Sequence, residues 1–278
     1  MERNKRTRAR YEYVPQQAKW TRICPLTNTL GLSTVALCPE NEKRLIKDVT
    51  SFVNNKSFYK RIGLAFRRGY LFHGEPGTGK TSLVLALASH LEASLYFINL
   101  GYIRSDTALI QAFASLPANV IVVLEDVDTQ TTVLHHRTNR KIISSNTDQE
   151  ETDGFNLSTF LSILDGHTLE DGIIFIMTTN HKELLDPAVI RPGRMDTHLD
   201  LTLATHYQMR RIFSMIQLHD NGLTLDDIFP ELEAMMPEFI IPPSEVMRTM
   251  VLYRENLDEI PQQLKLLAET YSKQNRID

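Results

Sequence analysis

The stretch that most limits what this chain can fold into is Gly74-Glu75-Pro76-Gly77-Thr78-Gly79-Lys80-Thr81. Its spacing is G-x-x-x-x-G-K-[ST], a turn whose successive backbone N–H groups face inward around an anion. An apolar run, Gly69 to His73, precedes it, and a helix-like run, Ser82 to His90, follows it. A strand that feeds a glycine loop opening a helix is part of a βαβ unit. Such units build parallel sheets covered by helices on both faces.

Four more apolar runs fit that plan. Ser94 to Asn99, Val120 to Leu124 and Ile173 to Thr178 are dense in Val, Ile, Leu and Phe, and His198 to Leu203 supplies a fifth strand. Helix-like stretches, Thr107 to Leu116 and Leu157 to Leu164, lie between them, so strand and helix alternate. Beyond about residue 204 the strand pattern stops. Met209, Ile212, Phe213 and Met215 recur at helical spacing, as do Val246, Met247 and Met250; Ser244 suits an N-cap and Pro261 a first turn. These methionines read as core filler.

The reading is an α/β fold with three parts. Residues 1–39 precede the core, residues 40–204 form a parallel five-stranded sheet sandwiched by helices, and residues 205–278 form a helical lid domain. Residues 129–154 are aperiodic and rich in Thr, Ser and Asn, changing from Arg137, Arg140 and Lys141 to Asp148, Glu150, Glu151 and Asp153. That pattern predicts a mobile surface loop. Adjacent His135 and His136 point to opposite faces in a strand, which makes them poor metal ligands.

Composition narrows the function class. With 30 basic and 34 acidic residues among 278, the net charge of −4 gives no global field for nucleic acid. No apolar run is long enough to cross a bilayer. Cys24 and Cys38 suit reduced thiols better than a zinc site. Arg3, Lys5, Arg6, Arg8 and Arg10 read as a solvated basic arm; Glu2 and the missing apolar stripe argue against a targeting peptide.

The chemistry begins with the loop. Residues Gly74 to Thr81, with Ser82, are the expected nucleotide contacts, Lys80 adding charge at the β- and γ-phosphates and the Thr81 hydroxyl a ligand for Mg²⁺. Glu125 and Asp126 end the buried strand Val120 to Leu124 on the side that faces the loop. One acid can hold Mg²⁺ while the other polarises an attacking water. Asp128 reads as a solvated loop acid. Asn180, at the tip of the next strand, is placed to contact the γ-phosphate or the water. Asn180-His181-Lys182-Glu183 is offset from N-K-x-D, which disfavours GTP. Arg191 and Arg194 flank a Pro-Gly turn; projecting outward, they can reach a γ-phosphate bound to a neighbouring subunit.

Together these motifs resemble an AAA ATPase. The resemblance implies ATP and Mg²⁺ as cofactors, a homo-oligomeric ring of six or seven subunits, and nucleotide at the subunit interfaces. More narrowly, Arg67 to Gly74, Leu124 to Asp128, Met177 to His181 and Leu185 to Arg194 are similar to the mitochondrial chaperones of respiratory complex III assembly. That group moves a folded iron–sulfur protein across the inner membrane, which implies a protein client, a mitochondrial matrix-facing ATPase and no nucleic-acid partner. By position, Glu125 takes the Mg²⁺-linked role and Asp126 the base. The shorter Asp126 sets back the base, and displacement by about 1 Å can cost on the order of 10²-fold in rate. Slow hydrolysis, or an ATP-binding assembly module that hydrolyses poorly, are the two expectations.

Two departures shape the reading further. Gly101-Tyr102-Ile103-Arg104-Ser105-Asp106 lacks the aromatic–apolar–glycine triplet of chain-threading relatives, which favours a folded client. Trp20 to about Leu30 is similar to the end of the narrower group's N-terminal domain, residues 1–39 read as a remnant of that domain, and the group's membrane helix has no counterpart here. Membrane association is therefore expected only through a segment outside this chain, and a soluble compartment if Met1 is the true start.

Overall fold

The computed structural model describes residues 8–27, 31–135, 154–217 and 222–274. Its strands are β1 (Ala9–Val14), β2 (Lys19–Pro25), β3 (Arg67–His73), β4 (Leu95–Phe97), β5 (Ile121–Leu124), β6 (Ile173–Thr179) and β7 (Thr197–Asp200). They form one sheet in the order β2-β1-β4-β5-β6-β3-β7. The five strands read from the sequence are its parallel block, β4 to β7.

The alternation of side chains along these strands splits the core in two. Leu71, Val122, Leu124, Phe175 and Met177 pack on one face with the helices Asp106–Ala114 and Leu157–Asp165. Tyr70, Phe72, Ile121, Val123, Ile174 and Ile176 pack on the other with Pro39–Asn54 and Lys80–His90. Both faces are covered, which explains why β5 and β6 read as continuous apolar runs. A third cluster, including Met209, Phe213, Val246, Met250 and Leu264, is the core of the C-terminal helices His206–Ile216, Pro243–Leu252 and Ile260–Gln274.

The sheet is larger than the five strands expected. β1 and β2 form an antiparallel hairpin, and β1 runs parallel to β4. Tyr11 stacks on Tyr96 at 4.6 Å, and the Trp20 indole donates to the Ala112 carbonyl at 3.0 Å. Arg8 and Arg10 are docked rather than solvated: Arg8 donates to the Ser89 carbonyl, and Arg10 pairs with Glu12 over the Phe97 ring. Arg3, Lys5 and Arg6 lie outside the described residues.

The expected loop at 129–154 begins as ordered chain. Val127–Gln130 is a short helix, Thr132–Leu134 a 3₁₀ turn, and Leu134 is fully buried. His136, Arg137, Arg140, Lys141, Asp148, Glu150, Glu151 and Asp153 lie outside the described residues. Among those described, no helix is long and apolar enough to cross a membrane.

Candidate active site

The glycine loop leaves β3 at His73 and enters the helix Lys80–His90. Gly74 has a φ of +142°, and a Cβ on it would lie 2.1 Å from the Leu201 carbonyl oxygen, so only glycine fits. Lys80 is buried and donates three hydrogen bonds: to the carbonyls of Gly74 at 2.7 Å and Glu75 at 3.0 Å, and to the Asn180 Oδ1 at 2.7 Å. Burial lowers the Lys80 pKa, while Asp126 and Asp128 act to raise it. Lys80 and Asn180, a hundred residues apart, are thus in direct contact. Thr78 closes the turn by donating to the Glu75 carbonyl at 2.8 Å.

The acidic strand meets the loop as expected. The Thr81 hydroxyl donates to Glu125 Oε1 at 2.9 Å. Asp126 takes a left-handed conformation with φ of +42°, and its N–H donates to the Thr178 hydroxyl at 2.9 Å. That backbone turn separates the acids: Glu125 faces Thr81, and Asp126 lines a cavity of about 530 Å³. Pro76, Gly77, Thr78, Gly79, Lys80, Thr81, Ser82 and Asn180 share its wall, while Gly74 and Glu75 stand behind, holding the lysine.

This surface fits a nucleoside triphosphate with Mg²⁺. Backbone amides and Lys80 suit phosphate oxygens, and adjacent hydroxyl and carboxylate oxygens on Thr81 and Glu125 suit a hard cation. Among the described residues no group of three or more His, Cys, Asp or Glu side chains is arranged to hold a metal ion. Mg²⁺ does not need one, since it takes one or two protein oxygens and fills the rest with phosphate and water.

A family model described as "ATPase family associated with various cellular activities (AAA)" matches residues 70–203. The chain belongs to the AAA ATPase family. An AAA-ATPase of Arabidopsis thaliana is 30% identical over 270 residues, covering 95% of this chain and 57% of the relative. Another from the same plant is 36% identical over 220 residues, 77% of this chain and 42% of its own length. The probable mitochondrial chaperone BCS1-B of Dictyostelium discoideum is 35% identical over 220 residues, 72% of this chain and 48% of that protein. The chain spans about half the length of the relatives it matches.

Several residues that line the cavity escaped the sequence reading. Thr34, Val35 and Ala36, after the turn Leu32–Thr34, line the cavity opposite Ile212, Pro243, Ser244 and Met247 from the lid. They are apolar or small and carry no motif, so only the fold brings them together. Met247, read as core filler, is half-buried: it packs against the core of the C-terminal helices and also lines the cavity. Ser244 does not cap its helix; Pro242 occupies that position, and the Ser244 N–H donates to the Gly77 carbonyl at 3.1 Å. A Cβ on Gly77 would sit 2.5 Å from the Ser244 hydroxyl, so the lid rests directly on the loop.

Two other residues, Asp128 and Arg194, behave differently from expectation. Asp128 is not solvated: it is 6% exposed, and both carboxylate oxygens are buried without a hydrogen-bond partner among the described residues. Arg194 does not project outward. It is buried and bidentate on Asp165, at 2.8 and 3.1 Å, and donates to the Ala188 carbonyl at 2.7 Å. These bonds hold the Asp165 carboxyl below the usual carboxylate range. Arg191 alone of the pair is exposed; its carbonyl accepts from the Arg194 N–H at 3.1 Å, and its side chain makes no hydrogen bond or ion pair to another described residue. Neither arginine lines the cavity. In the segment that lacks the threading triplet, Tyr102 is 63% exposed and Ile103 only 2%.

Proposed function

We propose that this chain hydrolyses ATP in a homo-oligomeric ring of six or seven subunits and uses the turnover to move or remodel a protein client. The observation that carries the reading is the convergence of Lys80, Asp126 and Asn180 on one cavity, with Arg191 exposed away from it. Lys80 draws charge from the β- and γ-phosphates, Asn180 exchanges its bond to Lys80 for the γ-phosphate or the attacking water, and Asp126 accepts that water's proton. Thr81 and Glu125 would hold Mg²⁺, which neutralises charge between the β- and γ-oxygens when bound. The thermodynamic cost of separating charge at the γ-phosphate falls further when Arg191 of a neighbouring subunit reaches it. Thr34 to Ala36, with Ile212 and Met247, form the apolar wall suited to the base.

The likeness to the probable mitochondrial chaperone of Dictyostelium supports a mitochondrial chaperone role, which the motif resemblance extends to the inner membrane, facing the matrix. Buried Ile103 and the missing triplet favour a folded client, of the iron–sulfur kind handled by the narrower group, over an unfolded strand. A second reading, an ATP-binding assembly module that hydrolyses poorly, draws on the set-back carboxylate of Asp126. Phosphate release by purified protein with Mg²⁺ and ATP decides between them. Turnover that vanishes in Asp126→Asn supports the hydrolase; no turnover above that variant in wild type supports the module.

A further inference from the structure

The segment that follows the acidic pair runs to the arginine turn through an unbroken series of hydrogen bonds. The Asp126 carbonyl accepts from the N–H groups of Thr129 and Gln130 and from the Thr129 hydroxyl, at 2.9, 3.1 and 3.0 Å. Asp126 and the helix Val127–Gln130 therefore form one rigid turn. Asp128 lies within it, its buried carboxylate without a hydrogen-bond partner among the described residues and drawn by the charge of Lys80. Its carbonyl is bound by His135 Nε2 at 2.8 Å. A carbonyl only accepts, so Nε2 carries the proton.

His135 is equally fixed on its other side. Its backbone bridges Leu185 in antiparallel fashion, and the neighbouring Leu134 carbonyl accepts from the Asp186 N–H at 2.8 Å. The Asp186 carboxylate then caps the next helix by accepting from the Ala188 N–H at 2.8 Å. That helix, Pro187–Ile190, is four residues long, and Arg191 is its C-cap. Arg194 clamps the same helix through the Ala188 carbonyl. His135 is thus the side chain that joins the turn bearing Asp126 to the element bearing Arg191.

We propose that His135 is a positioning residue for Arg191: it makes the placement of the exposed arginine follow the backbone of the acid turn, so that a subunit's own nucleotide site sets the reach of the arginine it offers its neighbour. This rests on the reading of Arg191 as acting in trans. A histidine that only filled the core would leave hydrolysis unchanged wherever stability was unchanged. A positioning histidine works through Arg191 and has no effect once that arginine is gone.

The test is a double-mutant cycle on full-length protein, read as kcat and KM for ATP with the thermal midpoint recorded alongside. His135→Phe keeps the ring volume and removes the donor. It is expected to lower kcat about tenfold, part of the ~10²-fold that displacement by about 1 Å can cost, with KM changed less than about twofold. His135→Gln, which retains an N–H of similar reach, is expected to recover most of the loss. In an Arg191→Ala background, His135→Phe is expected to slow hydrolysis by no more than about twofold. Independent, multiplying effects overturn the proposal while leaving the trans-arginine reading intact. An Arg191→Ala variant as fast as wild type overturns that reading, and this inference with it. Where His135→Phe does not fold, His135→Asn, too short to reach the carbonyl, carries the same cycle with the same two outcomes.

Discussion

Replacing Arg194 with alanine separates two roles that the Arg-Pro-Gly-Arg turn suggests. The Arg194 side chain is 8% exposed and spends its guanidinium on Asp165 and the Ala188 carbonyl. Truncation leaves a carboxylate and a carbonyl without their donor. Breaking a fully buried ion pair costs on the order of 3–5 kcal/mol. Asp165 is 35% exposed, however, so water compensates part of the loss, and about 2–3 kcal/mol is expected. For a chain of this size each kcal/mol lowers the thermal midpoint by about 2–4 °C, giving a fall of about 4–12 °C by scanning fluorimetry. Arg191→Ala, by contrast, is expected to move the midpoint by less than about 1 °C while lowering ATP turnover about 10³-fold, the low end for an arginine acting on transferring phosphate. Nucleotide affinity is expected to survive in both. A midpoint for Arg194→Ala within about 1 °C of wild type refutes the structural role assigned to that residue. Unchanged turnover in Arg191→Ala refutes the trans-arginine role.

Other expectations follow from the same geometry. Lys80→Ala removes the charge shared by Gly74, Glu75 and Asn180. ATP affinity, measured by calorimetry, is expected to fall by more than tenfold, on the order of one charge-assisted hydrogen bond or more. Unchanged affinity would count against the phosphate loop. Gly69→Ala puts a Cβ 1.9 Å from the Arg194 carbonyl oxygen, a backbone atom that cannot step aside. A loss of about 3 kcal/mol in urea unfolding is expected, and a loss below about 1 kcal/mol means the β3–β7 packing is looser than described. Acidification is the last. Burial, and then Lys182, hold both His73 and His198 below their usual pKa of 6.5. As pH falls below about 6.5 the unfolded chain takes up these protons first, so folded stability drops through that window and is fully present above it. The midpoint of wild type is expected to fall between about pH 7 and 5.5, and that of a His73→Asn, His198→Asn double variant to fall less. Equal falls would place the pH dependence elsewhere.

What could be read in advance tracked local chemistry. The glycine loop, the acids after β5 and Asn180 after β6 each combine a residue type with a position relative to an apolar run. Such pairings survive without knowledge of the fold, because a parallel sheet always brings the C-terminal ends of neighbouring strands to one edge. The hairpin of β1 and β2 carried no comparable pattern. Its faces are largely half-exposed or exposed, and β1 reads as charged and aromatic residues in alternation. Its place is decided by contacts across about ninety residues, such as Trp20 on Ala112. The apolar wall opposite the loop was hidden for the same reason: Thr34, Ile212 and Met247 belong to three separate segments.

The arginine turn marks the division most clearly. The sequence determined that two arginines flank a Pro-Gly turn just before the last strand, and chemistry alone made both candidates for phosphate. Only the tertiary structure decided that Asp165, the last residue of a helix on the other side of β6 in the chain, claims Arg194 and leaves Arg191 exposed. Asp128 repeats the lesson in reverse, an acid expected in solvent and found buried. Residue type and spacing specify what a side chain is able to bind. Which partner it binds depends on what the fold brings within about 3 Å, since hydrogen bonds and ion pairs lose their strength steeply beyond that distance.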